Sequence, residues 1–180
     1  MKRKSLDGAV CPIARSLDQV GEWWSLLIIR DVFRGKRRFG ELLESLGLAR
    51  NILSTRLKRL VECDVLETQP ARNGSPYQEY ALTAKGQDLI VALIALEQWG
   101  NRWTACDAQP PLVRIERATG EEIAPVEVRS RDGRKLSASD LALVARSDGP
   151  DRTNVEGVPP PRPASGDGAA LAEVRRSPGR

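Results

Sequence analysis

The 180-residue sequence contains no histidine. That absence excludes Ser-His-Asp and Cys-His activation of a nucleophile and removes the commonest catalytic zinc ligand. Cysteine is scarce as well. Cys11, Cys63 and Cys106 make an odd number and form no Cys-x-x-Cys pair. With no signal-peptide pattern, this usage points to a reduced, cytoplasmic setting rather than a disulfide framework. No apolar run approaches the roughly 18 residues that a membrane span requires. Glycine-rich phosphate loops are missing, and no carboxylate pair stands out from ordinary surface charge. An enzyme is therefore not expected, and neither is a cofactor or a bound metal.

What is present is charge, unevenly placed. The chain carries 28 Lys and Arg against 24 Asp and Glu, for a net +4. Residues 1–108 hold 16 basic and 13 acidic residues, and the remainder holds 12 and 11. A mild excess says little about a polyanionic partner, so local clustering carries the information. One cluster follows directly on an apolar stretch. "WSLLIIRDVFRGKRRFGELL" (residues 24–43) passes from core-like composition to Arg30, Arg34, Lys36, Arg37 and Arg38 within nine residues.

The helical signals come in series. "CPIARSLDQVG" has Pro12 at a first-helical position and Gly21 as a stop. "EWWSLLIIRDVFRG" is apolar nearly all round and is expected to be central and buried, with Arg30, Asp31 and Arg34 on its one charged edge. "FGELLESLG" is a short third helix, and the turn "GLAR" leads into a fourth, "RNILSTRLKRLVEC". There Leu53, Leu57, Leu60 and Val61 share a face at helical spacing. Asn51, Thr55, Lys58, Arg59 and Glu62 lie opposite, flanked by Arg50, Ser54 and Arg56. Residues 65–69 and 77–82 are candidate strands around a turn containing Asn73-Gly74. "TAKGQDLIVALIALEQWGNRW" is a long fifth helix with Thr83 as its N-cap. Two helices joined by a short turn and followed by a hairpin give the order of a winged helix-turn-helix, with the fourth helix entering the DNA major groove.

The expected fold class is α+β, mostly α. Residues 1–10 are expected to be flexible and 11–106 to form the winged helix-turn-helix domain. Residues 111–146 alternate around Ala118-Thr119-Gly120 and Asp132-Gly133 and suggest a small β-rich extension. Residues 149–180, rich in Pro, Gly and charge, are expected to be disordered, since little apolar area is available to offset ordering entropy.

These stretches together resemble the HxlR family of bacterial transcriptional regulators, MarR-like winged-helix proteins. The resemblance runs from about Cys11 to Trp103. It rests on Cys11-Pro12, a Trp before the apolar helix, Arg37-Arg38-Phe39, Leu53-Ser54-x-Arg56-Leu57 and Tyr80-x-Leu82-Thr83. It implies a homodimeric regulator that binds double-stranded DNA, with an effector that the sequence does not name. One departure is Ala49-Arg50, where many relatives place Ser or Ser-Pro. An Ala cap is poorer by about 0.5–2 kcal/mol.

Each candidate site has a plainer alternative. Arg50, Asn51, Ser54, Thr55 and Lys58 either face bases, for which their donors and acceptors are suited, or form a solvated helix face. Arg56 and Arg59, on the flank, are expected to meet phosphates. Arg72 and Asn73 are either a wing tip that reaches the DNA backbone or narrow minor groove, or a bare turn. Lys36, Arg37 and Arg38 either touch phosphate or stabilise the negative C-terminal end of the preceding helix. In the fifth helix, Leu89, Leu93, Leu96, Trp99 and Trp103 suggest a dimerisation surface joined by Ile13 and Leu17. The alternative is cover by the C-terminal segment of the same chain. Cys11, at a helix start near Lys2, Arg3 and Lys4, is either a capping residue or a redox sensor, since such a position lowers a thiol pKa. The resemblance adds that some relatives sense oxidants with a cysteine there. An interaction module built on a winged helix, with no sequence-specific DNA binding, is the alternative function.

Overall fold

The structure, a computed structural model, describes residues 5–71, 73–104 and 114–143. The expected wing residue Arg72, the third cysteine Cys106 and the tail 149–180 lie outside the described residues. Five helices and one hairpin follow in the expected order: α1 (Pro12–Val20), α2 (Trp23–Phe33), α3 (Phe39–Leu46), α4 (Arg50–Glu62), β1 (Leu66–Pro70), β2 (Gln78–Leu82) and α5 (Ala84–Trp103). Pro12 does occupy the first turn of α1, after Cys11 in extended conformation, and Gly21 caps its end. The two strands pair antiparallel, Leu66 opposite Leu82 and Pro70 opposite Gln78.

The core forms where the apolar faces of these helices converge. Ile28, Ile29 and Val32 of α2 meet Leu42 of α3 and Leu53, Leu57 and Leu60 of α4. Val65, Leu66 and Ile90 close it from the hairpin and α5. α2 is central, as its composition requires. Its charged edge differs from expectation: Asp31 is buried, not exposed. Its carboxylate accepts from Arg30 Nε at 2.9 Å and from the Ser45 hydroxyl of α3 at 2.6 Å. A buried carboxylate is tolerated when it is both ion-paired and hydrogen-bonded, and here those bonds link α2 to α3.

The turn between α3 and α4 depends on Gly47, whose φ of 62° ends α3 in the left-handed region. Ala49, as expected, offers α4 no side-chain cap. The entry to α5 is tighter. Thr83 accepts the Gly86 N–H at 3.1 Å, and its hydroxyl donates to the Asp64 carbonyl at 2.6 Å. The Thr83 N–H bonds the Val65 carbonyl at 3.2 Å. Gly86 is buried against that same carbonyl, so an added Cβ would overlap the Val65 oxygen.

Two expectations about the ends change. Residues 5–10 were expected to be flexible, but they are tied to α1. Leu6 N–H donates to Asp18 at 2.9 Å, and Arg15 donates to the Ala9 and Val10 carbonyls at 2.7 and 2.8 Å. The β-rich extension holds its turns, with Gly120 and Gly133 both at positive φ. Among the described residues, however, it forms only single bridges, Ile115 with Glu122 and Arg129 with Lys135, plus a short 3₁₀ turn at Ala138–Asp140. Its segments are too short and too exposed to build a ladder. The chain divides into two units between Val126 and Glu127, inside the segment read as one extension. The first part belongs with the helices: Arg114 makes a two-pronged ion pair with Glu97 of α5 at 2.9 and 2.8 Å and stacks on the Phe33 ring. Gln98 accepts the Val126 N–H at 2.7 Å.

Gly86→Ala should destabilise the domain by about 1–3 kcal/mol, the range for forced overpacking. Urea unfolding followed by tryptophan fluorescence measures it. An unchanged midpoint would mean that the α5–β1 junction is not rigid.

Candidate nucleic-acid interface

α4 has three working sides. Leu53, Leu57 and Leu60 are fully buried, at the i, i+4, i+7 spacing that puts them on one face. A second side meets α1 and the N-cap of α2. Arg56 pairs with Glu22 at 3.2 Å, and Arg59 pairs with Asp18 at 3.4 Å. The third side is open: Arg50, Asn51, Ser54, Thr55 and Lys58 are all exposed. Thr55 donates its hydroxyl to the Asn51 carbonyl at 2.8 Å, which leaves its oxygen lone pairs outward. Lys58 has only Glu62 near, at 3.9 Å and with both side chains largely exposed, a separation worth little in water. The Arg50 guanidinium lies over the Phe39 ring of α3, 5.6 Å from its centre. Stacking of this kind fixes the plane of the fork without using its hydrogen-bond donors.

The expected phosphate role of Arg56 and Arg59 therefore gains a competitor. Both cations are already paired, Arg59 with a carboxylate of α1 and Arg56 with the N-cap residue of α2. The sequence alone shows a charged flank, and the partners lie 34 and 41 residues away, so only the fold reveals them.

The basic cluster after α2 divides too. Arg37 and Arg38 sit at the start of α3, and their backbone N–H groups both donate to the Glu41 carboxylate, at 2.8 and 2.9 Å. Those two bonds, the Arg38 one foremost, hold the Glu41 pKa below its ordinary value. The nearby charges of Arg38 and Lys36 act in the same direction. The Arg37 carbonyl accepts the Tyr80 N–H of β2 at 2.8 Å. Arg38 Nε donates to Glu79 of β2 at 3.2 Å, and the Glu79 side chain is only 7% exposed. Arg38 thus binds the hairpin to the start of α3, a role that neither phosphate contact nor capping of α2 anticipated. Lys36 and the Arg37 side chain have no such partner shown, and both are part-exposed.

At the hairpin tip, Asn73 and Gly74 make the turn. The Gly74 N–H bonds the Ala71 carbonyl at 3.0 Å, Gly74 has φ of 72°, and the Asn73 side chain accepts the Ser75 N–H at 3.2 Å. Asn73 is exposed and its side chain is used within the turn.

The apolar side chains proposed for dimerisation separate into two groups. Leu89 and Leu93, with Ile94, are partly buried against the domain's own core. Leu96, Trp99 and Trp103 stand exposed on the far half of α5, Trp103 at 69%. A 20-residue helix is about 30 Å long, and only its first half lies on the core. Ile13 and Leu17 are exposed on α1. Both helices line one groove of about 450 Å³, with Pro12, Ser16 and Val20 on the α1 side and Leu89 and Ala92 on the α5 side. Cys11 is exposed and Cys63 is packed partly against the core. Among the described residues, no three His, Cys, Asp or Glu side chains group as metal ligands, and no helix is long and apolar enough to cross a membrane.

Comparison with known proteins agrees with this geometry. A family model described as HxlR-like helix-turn-helix matches residues 19–108. The uncharacterised HTH-type transcriptional regulator Rv3095 of Mycobacterium tuberculosis is 36% identical over 129 residues, which is 72% of this chain and 82% of that protein. A second, sll1512 of Synechocystis, is 35% identical over 97 residues, covering 53% of this chain and 72% of its own. Among solved structures, PA1607, a candidate transcription factor, superposes with a TM-score of 0.73 at 44% identity, covering 79% of this chain and 99% of that one. PA1374 of Pseudomonas aeruginosa gives 0.53 at 41% identity, over 78% and 96% of the two chains. The chain belongs to the HxlR-like helix-turn-helix family, whose named members here are HTH-type transcriptional regulators.

Proposed function

We propose that this chain is a sequence-specific DNA-binding transcriptional regulator that acts in the cytoplasm as a homodimer on a roughly palindromic operator. The observation that carries this is the third side of α4. Its polar groups are exposed and varied in chemistry, while the other cations of the same helix are paired inside the domain. Asn51 suits adenine, Arg50 and Lys58 suit guanine acceptors, and Ser54 and Thr55 suit several groups. Lys36 and Arg37 supply backbone contacts beside α3, and the Asn73 turn lies at the hairpin tip, in the position of a wing.

The exposed half of α5 supports the dimer. Leu96, Trp99 and Trp103 recur at intervals of three and four, so they share a side, and large apolar groups on one side of an exposed helix call for cover. Segment 114–126 engages Glu97 and Gln98 of the same helix and leaves these three exposed. A two-fold pair would set the recognition helices about 34 Å apart, one turn of DNA. Cys11, exposed at the start of α1, is where an oxidant or electrophile would act.

Duplexes selected from a random library by the purified protein provide the probe. Lys58→Ala and Asn51→Ala should each weaken binding to the selected duplex about 5- to 100-fold, the range for lost base contacts of about 1–3 kcal/mol. Unchanged affinity in both, by gel shift, would reject α4 as the recognition helix. Trp99→Glu combined with Trp103→Glu should convert the protein to a monomer by light scattering, and a retained dimer would reject the α5 surface. Iodoacetamide should alkylate Cys11 faster than Cys63 in a Cys106→Ser background, as mass spectrometry would report. Equal rates would remove the basis for Cys11 as the responsive thiol.

A further inference from the structure

The end of α2, the hairpin and the first half of α5 enclose a cavity of about 600 Å³. Val32, Phe33, Ile90 and Val91 give it apolar walls, and Arg37, Gln69 and Gln87 bring polar side chains to it. The described residues that line it include no Asp or Glu. Its volume and its mix of apolar walls with a few polar groups are those of a small-molecule site. The cleft between α1 and α4 differs, because Asp18, Glu22 and Glu62 share it with the cations. In the groove between α1 and α5, Asp88 accompanies Arg15 and Lys85.

The walls and the cation are held from outside the cavity. The Arg37 N–H donates to Glu41 and its carbonyl accepts from Tyr80, both at 2.8 Å, so the root of the side chain is fixed. Its neighbour Arg38 is paired with Glu79, whereas the Arg37 guanidinium has no carboxylate partner among the described residues. Phe33 is held by Arg114, which stacks on its ring and is itself pinned to Glu97 by two bonds. Gln87 Nε2 donates to the Leu82 carbonyl at 3.4 Å, which leaves the amide oxygen and a second N–H for a ligand. An inorganic anion would leave the apolar walls unused, and a neutral apolar molecule would leave the cation unpaired. We propose that this cavity binds a small organic acid with an apolar body, its carboxylate on Arg37 and its body against Phe33 and Val91. The planar fork of an arginine suits a carboxylate in particular. The site also deepens the function proposed above and in that respect rests on it. Arg37 there supplies a phosphate contact, so an acid bound to Arg37 removes that contact and lowers affinity for DNA.

Calorimetric titration of the full-length protein without DNA tests the site, with 1-naphthoate and its neutral counterpart 1-naphthalenemethanol as probes. Naphthoate should bind at least about tenfold more tightly than the alcohol, the difference made by a charge-assisted pair of hydrogen bonds. Arg37→Gln should abolish that preference. Val91→Glu, at a position 60% exposed, should weaken naphthoate at least about tenfold by placing a second anion beside it. Neither side chain is buried, so both variants should fold. Failure of naphthoate to bind, equal affinity for acid and alcohol, or a preference that survives Arg37→Gln overturns the site. With the selected duplex, saturating naphthoate should lower wild-type affinity and reduce the slope of log affinity against log salt by about 0.9, the share of one phosphate. Naphthoate that binds and leaves the duplex unaffected overturns the regulatory role. A wild type that binds no duplex overturns the proposed function and leaves the acid site standing on the calorimetry.

Discussion

A nearly buried carboxylate on the hairpin constrains everything around it. Glu79 lies on the inward side of β2, where few waters can reach it, so its charge needs a protein partner. Arg38 supplies that partner, and Arg38 also opens α3. The adjacent bond from Tyr80 N–H to the Arg37 carbonyl makes the attachment two-point, one backbone and one ionic. Two contacts on neighbouring residues fix orientation as well as distance. The hairpin is thus referenced to α3, α3 is set against α2 by the Asp31–Ser45 bond, and α4 follows α3 after the Gly47 turn. The hairpin and α4 hold their spacing because a short run of chain, residues 37–39, contacts both.

The same run shows why sequence alone misassigns charge. Lys36, Arg37 and Arg38 look equivalent in a string of letters. One lies in a salt bridge to a strand 41 residues away, one lends its carbonyl to that strand, and one makes neither contact. Asp31 gave a similar error in reverse. An acidic residue next to Arg30 reads as surface, and its burial follows from Ser45 on another helix. Local chemistry, by contrast, was legible: Pro12 at a helix start, Thr83 as a cap, Gly47 at a turn, and the apolar stripe Leu53, Leu57 and Leu60. These features depend on neighbours within about four residues. Ion pairs between helices, and the point along α5 at which the core ends, depend on the assembled fold.

α4 illustrates how that distinction bears on function. By composition it is a basic helix, with Arg50, Arg56, Lys58 and Arg59. By structure, one of those charges pairs with α1, one with the N-cap of α2, and one is stacked on Phe39. A charge committed to an internal pair contributes little to attracting a polyanion, since the pair is close to neutral at the distance of a Debye length, about 8–10 Å. The free charge on the open side of α4 is therefore that of Arg50 and Lys58, set among the polar groups of Asn51, Ser54 and Thr55.

In the function proposed above, cations outside α4 add to Arg50 and Lys58 in attracting a phosphate backbone. Lys36 and Arg37 lie just before α3, both part-exposed. Asp18 serves two contacts: one oxygen orders the lead segment through Leu6, and the other accepts from Arg59. A single carboxylate on α1 thereby engages one cation of α4 and orders the segment that leads into its own helix.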